Sequence, residues 1–377
     1  MGGVVRGLRF AGRVTEIERI RRLAQAGERV YLFAPRRYGK TSLLREGLAP
    51  LAEKARLTLV WCDCLPANDL AGFTQRLAGA LVEAVRRKRT TEWIKEAGQL
   101  FTRLRPSLSV ESDARVRIDI GMGPPADGAG RDQSLEDALV GVERLAAARK
   151  RPVAVVFDEF QQIVEWDREA RAEAIVRTVI QDQTGISYFF AGSQRHLLDE
   201  MFADRTRPLY KLAAPFPLGR LAADEIRPWL DARFGDTQMR LEAEAADHLM
   251  LVAAGHPWAI QYVSHFVWEL KRRGGDRRVT VEDVRRGVDE ALRVGATTYE
   301  AELSALTATQ RRVLAAIAVE PPESPTSSAY LQRHKLPAKS SVSQALGSLL
   351  RRGQVEVNAG RHVLSDPLLA EWICRTW

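Results

Sequence analysis

Four apolar runs separated by amphipathic stretches constrain the fold of the first half of the chain more tightly than anything else in it. The runs lie in RVYLFAP (29–35), RLTLVWCDC (56–64), RPVAVVFDEF (151–160) and GISYFFAGS (185–193). Helical periodicity fills the gaps, in TSLLREGLAPLAEKA, DLAGFTQRLAGALVEAVRRK and SLEDALVGVERLAAARK, with apolar residues returning at helical spacing. A strand apolar at successive positions has no face to give to water. Such strands, joined by helical crossovers, predict an α/β core: a parallel sheet between layers of helices.

Two segments break the rhythm. Residues 107–132 alternate polar and apolar residues around a turn and then become rich in Gly and Pro, which predicts a β-hairpin insertion followed by a loop. After Pro217 the strands stop, and AADEIRPWLDARF, EAEAADHLMLVAAG, HPWAIQYVSHFVWELKRRG and TVEDVRRGVDEALRV read as successive helices. The last unit has the helical patterns ATQRRVLAAIAVE, SSAYLQRHK and AKSSVSQALGSLLRRG, then the strand pair QVEVNAG and RHVLSDP. Three helices and a small hairpin make a winged helix. The expected domains are an α/β core over 1–216, a helical lid over 217–303 and a winged helix over 304–377.

Composition excludes more than it assigns. With 377 residues, 45% of them hydrophobic, the chain can fill two or three cores. No apolar run approaches the roughly 18 residues of a membrane span, so no membrane partner is expected. Met1–Phe10 lacks the apolar stretch of a leader. Cys62 and Cys64 share one face of a strand without further Cys or His to complete a zinc site; they are expected as small buried hydrophobes in a reducing cytoplasm. The net charge of +8 permits an anionic partner without demanding one.

The turn after the first strand carries the chemistry. Ala34-Pro35-Arg36-Arg37-Tyr38-Gly39-Lys40-Thr41-Ser42 ends as a phosphate-binding loop does, although alanine stands where the first glycine belongs. In such a loop backbone N–H groups wrap the phosphates at the start of a helix. Lys40 then reaches the β/γ oxygens of ATP, and Thr41 ligates Mg²⁺. Alanine serves in the first slot provided its φ is negative. Arg36 and Arg37 either clamp phosphate or line the entrance, the second being favoured. The chemistry also needs an acid at the tip of a strand beside the loop strand, and a carboxylate to polarise water. Asp158 and Glu159, after five apolar residues, supply them. Ser193, or Gln194, at the end of SYFFAGSQ is placed to sense the γ-phosphate.

Taken together, these stretches resemble the archaeal-type ATPases within the STAND group of P-loop NTPases, relatives of AAA+ proteins. The resemblance runs through FAGR, APRRYGKTSLL, VVFDEFQQI, FFAGSQRHLLDEMF, RPLYKLAAPFPLGRL, AAGHPWAIQ and DPLLAEWI. It implies that Gly12 and Arg13 lie by the base and ribose, and that Gly255-His256-Pro257 packs near the adenine. Lys211 stands where such proteins often carry arginine, which leaves Arg205 and Arg207 as candidates for an arginine finger.

In the winged helix, Lys339, Ser341 and Gln344 open the third helix, where recognition residues meet duplex DNA, and Arg361 is available for phosphate. Val342, Leu346, Leu349 and Leu350 fall at helical spacing and are expected in the core. The whole reads as an ATPase (ATP and water to ADP and phosphate) of low turnover. Its nucleotide state would control a DNA or protein partner, and a nucleotide-dependent homo-oligomer is compatible with that. The alternative, a DNA-binding winged-helix protein with a degenerate nucleotide site, has Ala34 as its support. An AAA+-like ring motor ranks last, since nothing resembles a pore loop.

Overall fold

A computed structural model describes residues 5–86, 96, 98–102, 104–110, 116–121, 128–274 and 276–376. The chain divides into two compact units. One comprises Val14–Ala34 and Lys40–Leu218; the other comprises Met1–Arg13, Pro35–Gly39 and Gly219–Trp377.

The first unit is the α/β core. Helix α1 (Val14–Ala26) precedes β1 (Arg29–Phe33), α2 (Lys40–Glu53), β2 (Thr58–Asp63) and α3 (Leu70–Val85). An antiparallel hairpin, β3 (Arg105–Val110) with β4 (Val116–Gly121), follows. Then come α4 (Gly128–Arg149), β5 (Val153–Asp158), α5 (Arg171–Ile180), β6 (Ile186–Gly192), α6 (Arg195–Ala203) and β7 (Ala214–Pro217). Helix α4 begins inside the stretch expected as loop. The sheet has the order β2-β5-β6-β1-β7, parallel throughout. Every residue of β5 and β6 is buried, in keeping with their largely apolar sequences. Aromatic side chains pack in the core: Phe157 of β5 stacks on Phe190 of β6 with ring centroids 5.5 Å apart, and Phe160, just past β5, lies tilted against Phe190 at 4.8 Å. Cys62 and Cys64 are buried there too.

Two expectations about this sheet need correction. The strand carrying Asp158 is not the neighbour of β1, because β6 runs between them. The sheet also has a fifth strand, β7, whose sequence is Ala-Pro-Phe-Pro. Proline has no N–H for a ladder, so it is confined to edges, and β7 is an edge strand.

The second unit is mainly helical: α7 (Ala223–Gly235), α8 (Ala243–Ala253), α9 (Pro257–Gly274) and α10 (Val281–Ser304). Strands do not stop altogether after Pro217, since β8 (Arg240–Leu241) and β9 (Arg278–Val279) pair in parallel. The winged helix follows, with α11 (Ala308–Val319), α12 (Ser328–Arg333) and α13 (Lys339–Arg351). The hairpin of β10 (Val355–Asn358) and β11 (Arg361–Leu364) comes next, and α14 (Pro367–Thr376) closes the chain. Capping boxes start α10 (Thr280 with Asp283) and α11 (Thr307 with Gln310), and each cap contributes about 1 kcal/mol. Val342, Leu346 and Leu349 are buried, but Leu350 is 36% exposed; it falls one step beyond the inward stripe of α13. Among the described residues no helix is long and apolar enough to cross a membrane.

Candidate nucleotide site

The turn between β1 and α2 starts at Ala34, which is buried and whose φ is not positive. A methyl group is therefore tolerated at the slot where glycine is usual. The left-handed positions of the loop are Arg37 (φ 68°) and Gly39 (φ 83°). Gly39 is where the lack of a Cβ matters, since its φ is one that L side chains rarely adopt. Lys40 is 5% exposed, and its Nζ donates to the carbonyl of Ala34 at 2.9 Å, which folds the ammonium back over the turn. Ser42 is buried in the first turn of α2.

Thr41 reaches the acid at the end of β5. Its Oγ1 donates to Oδ2 of Asp158 at 2.9 Å. The second oxygen of Asp158, Oδ1, is buried and has no hydrogen-bond partner among the described residues. Burial, the largest effect, raises the pKa of Asp158; the Thr41 hydrogen bond and the Lys40 charge oppose it. An orphaned carboxylate oxygen beside a threonine hydroxyl suits a hard divalent cation, which prefers oxygen ligands. Thr41 and Asp158 are thus a fitting pair for Mg²⁺.

Glu159 follows in a left-handed conformation (φ 53°, ψ 43°). One of its oxygens, Oε2, accepts from Oγ of Ser193 at 2.8 Å and from Nε2 of Gln161 at 2.6 Å. The loop lysine and threonine, the acid pair and Ser193 all belong to the first unit. Because β6 separates β5 from β1, the residue following β6, Ser193, sits between the ends of the acid strand and the loop strand.

The tip of the loop has other partners. Tyr38 is 2% exposed, and its hydroxyl donates to Oε1 of Glu356 in β10 at 2.5 Å. The same Glu356 oxygen accepts from Nε of Arg220 at 2.9 Å. Burial pushes the Tyr38 phenol well above its ordinary pKa. Its ring meets His256 edge-on at 4.8 Å. Arg37 lies over the Trp258 ring at 4.4 Å and pairs with Asp366 at 3.7 Å. Arg36 is exposed and Pro35 half-buried. Tyr38, Arg220 and Glu356 form one cluster, with Arg37 and Asp366 paired beside it; the sequence did not announce it, because the loop tip, Arg220 and the hairpin carrying Glu356 are each more than a hundred positions apart.

The remaining expected residues are placed as follows. Gly12 and Arg13 both have left-handed φ, and the buried Arg13 donates to the Gly219 carbonyl at 2.6 Å. Pro257 is the first residue of α9, a position that needs no N–H. His256 before it is buried, and burial with the nearby Arg220 and Arg37 charges lowers its pKa to about 3. Arg207 pairs with the buried Glu173 and with Glu200 at 3.6 Å, so a finger role would require that pair to open. Arg205 is exposed. Lys339 and Gln344 are exposed at the start of α13, with Ser341 half-buried; Arg361 is exposed and lies 3.8 Å from Glu323.

Comparison with known proteins fits this geometry. Residues 9–190 match the family model described as an AAA ATPase domain, and residues 297–375 match that of a probable winged helix domain. In fold the chain is similar to the Walker-type ATPase of Pyrococcus abyssi, with a TM-score of 0.66, 17% identity, and coverage of 97% of this chain and 96% of that one. It is also similar to the ORC2 protein of Aeropyrum pernix in its ADPNP–ADP complexes, with a TM-score of 0.54, 16% identity, and coverage of 96% and 93%. At these identities the likeness is one of fold. None of the curated proteins matches the chain.

Proposed function

We propose that this chain, an AAA ATPase domain followed by a winged helix, is a regulatory ATPase of the STAND kind: it binds MgATP, hydrolyses it slowly, and passes its nucleotide state to a DNA or protein partner. The observation that carries this reading is the double engagement of one loop. Its helical end, Lys40 and Thr41, meets Asp158, while its tip, Arg37 and Tyr38, is held by Asp366 and Glu356 of the winged helix. In this reading a nucleotide bound at the helical end is sensed along the loop at its tip. The ORC2 structure that this fold resembles holds ADPNP and ADP, which favours an adenine nucleotide here.

In the reaction, Lys40 binds the β- and γ-phosphates. Thr41 and Asp158 would hold Mg²⁺, which when bound neutralises phosphate charge. Glu159 orients the attacking water and takes its proton as the new bond to the γ-phosphorus forms and the bond to the ADP oxygen breaks. Gly12, Arg13 and Pro257 are assigned to the base and ribose end of the nucleotide. Against the degenerate-site alternative stands the backbone of Ala34, which has no positive φ to forbid the loop.

Calorimetry with ATP and Mg²⁺ tests the assignment. Lys40→Ala should remove most of the affinity, since it deletes the cation at the phosphates. Equal ATP affinity in the two proteins would overturn the site.

A further inference from the structure

Gln161 is not part of the phosphate loop or the acid pair, yet it is 2% exposed and its amide is aimed at side-chain oxygens of both Glu159 and Ser193. Nε2 donates to Oε2 of Glu159 at 2.6 Å and lies 3.5 Å from Oγ of Ser193. The amide cannot be turned over, because its carbonyl would then face a carboxylate, acceptor against acceptor. Its Oε1 instead points toward Gly192, where a Cβ would lie 2.1 Å from that oxygen, and it has no hydrogen-bond partner among the described residues. A buried amide with half of its capacity unused, in a space left by a glycine, is held there for what its N–H groups do.

The proton count explains why. Ser193 has one hydroxyl proton, and in this structure it goes to Glu159. If Ser193 senses the γ-phosphate, that proton must turn to a phosphoryl oxygen, and Glu159 loses one of its two donors. Gln161 has two N–H groups. It can keep one on Glu159 and give the other to the Ser193 oxygen, which is then free to accept.

We propose that Gln161 is a positioning residue for hydrolysis: it holds the Glu159 carboxylate in line for water when Ser193 turns to the γ-phosphate. This rests on the reading of Glu159 as the base. Loss of a hydrogen bond to a charged group should slow the chemical step by roughly 10–100-fold, with ATP binding untouched.

The test is single-turnover ATP hydrolysis across pH in the full chain, beside ATP affinity by calorimetry and thermal unfolding, for Gln161→Ala, Gln161→Glu, Gly192→Ala and Glu159→Gln. Gln161→Ala should keep its affinity and lose rate. Gln161→Glu should be slowest at alkaline pH, where two carboxylates repel, and recover as pH falls and the new carboxyl gains a proton to donate; a merely structural defect gives no such recovery. Gly192→Ala should resemble Gln161→Ala, because its methyl displaces the amide. If Glu159→Gln slows hydrolysis while Gln161→Ala does not, the positioning role is overturned and the base assignment stands. A pH-independent loss in Gln161→Glu also overturns it. If Glu159→Gln leaves the rate unchanged, the base assignment itself fails, and this inference with it.

Discussion

Two polar, cation-bearing stretches look alike in the sequence and differ in the folded protein: Arg36-Arg37-Tyr38 at the loop tip, and Lys339-Ser340-Ser341 at the start of α13. Tyr38 is buried on a carboxylate, and Arg37 lies between an aromatic ring and an aspartate. Lys339 and Ser340 are exposed. What separates them is the arrival of an acidic partner from far along the chain; Glu356 is 318 positions from Tyr38. Arg37 and Tyr38 of the loop tip are therefore tied into the fold, whereas Lys339 and Ser340 at the start of α13 are open to solvent.

The sharpest way to break this contrast is at Glu356. Its side chain receives both Tyr38 and Arg220. Glu356→Ala leaves Arg220 its carbonyl partners, Ala254 and Leu364, but removes its carboxylate. Removing one member of a largely buried ion pair costs about 3 kcal/mol. Tyr38→Phe should cost less, about 1.5 kcal/mol, because Glu356 keeps Arg220. Urea midpoints measure both. If Glu356→Ala costs no more than Tyr38→Phe, the tip is not held as described.

How much of this was readable beforehand follows from where the information sits. Strands β5 and β6 were legible because each is buried on both faces and written as a largely apolar run. That Asp158 and Glu159 sit at the end of such a strand was legible for the same reason. Strand β7 was not, because Pro215 and Pro217 read as loop and only an edge position tolerates them. The start of α4 at Gly128 lay hidden in a Gly- and Pro-rich stretch. Gln161 had a faint signal, a polar residue two places after Glu159, but nothing local says that Gly192 makes room for it. Whether Ala34 spoils the loop was a question about one φ angle, which a sequence does not carry.

The second prediction uses pH on the same cluster. His256 touches Tyr38, and its pKa in the folded protein is lowered to about 3 from an ordinary 6.5. Between those values the unfolded chain binds a proton that the folded one refuses, so unfolding is favoured as pH falls. The stability is fully present above about pH 6.5 and declines below it, by about 2 kcal/mol at pH 5. His256→Asn keeps an acceptor for the Ala259 N–H that Nδ1 now receives at 3.3 Å and removes the titration. Its unfolding free energy should change less between pH 7 and pH 5 than that of the wild type, by about 2 kcal/mol. Parallel curves for the two proteins would mean that His256 is not held neutral, and the loop tip would be less tightly enclosed than its burial suggests.

The smallest effect tests the other side of the comparison. If the exposed start of α13 meets duplex DNA, Lys339 neutralises a phosphate and releases its counterion. Arg361, exposed and 3.8 Å from the exposed Glu323, does the same, because a surface ion pair this loose contributes little and is readily exchanged. Lys339→Ala and Arg361→Ala should each flatten the slope of log K against log salt by about 0.9. Labelled duplex titrated at several salt concentrations, with ATP, with ADP and without nucleotide, gives the slopes. It also says whether nucleotide on the loop alters a surface in the same winged helix as Glu356. Unchanged slopes would remove Lys339 and Arg361 from the contact. Absence of binding at low salt in every nucleotide state would make this winged helix a protein-contact module, and the free polar residues of α13 would then be sought on a protein partner.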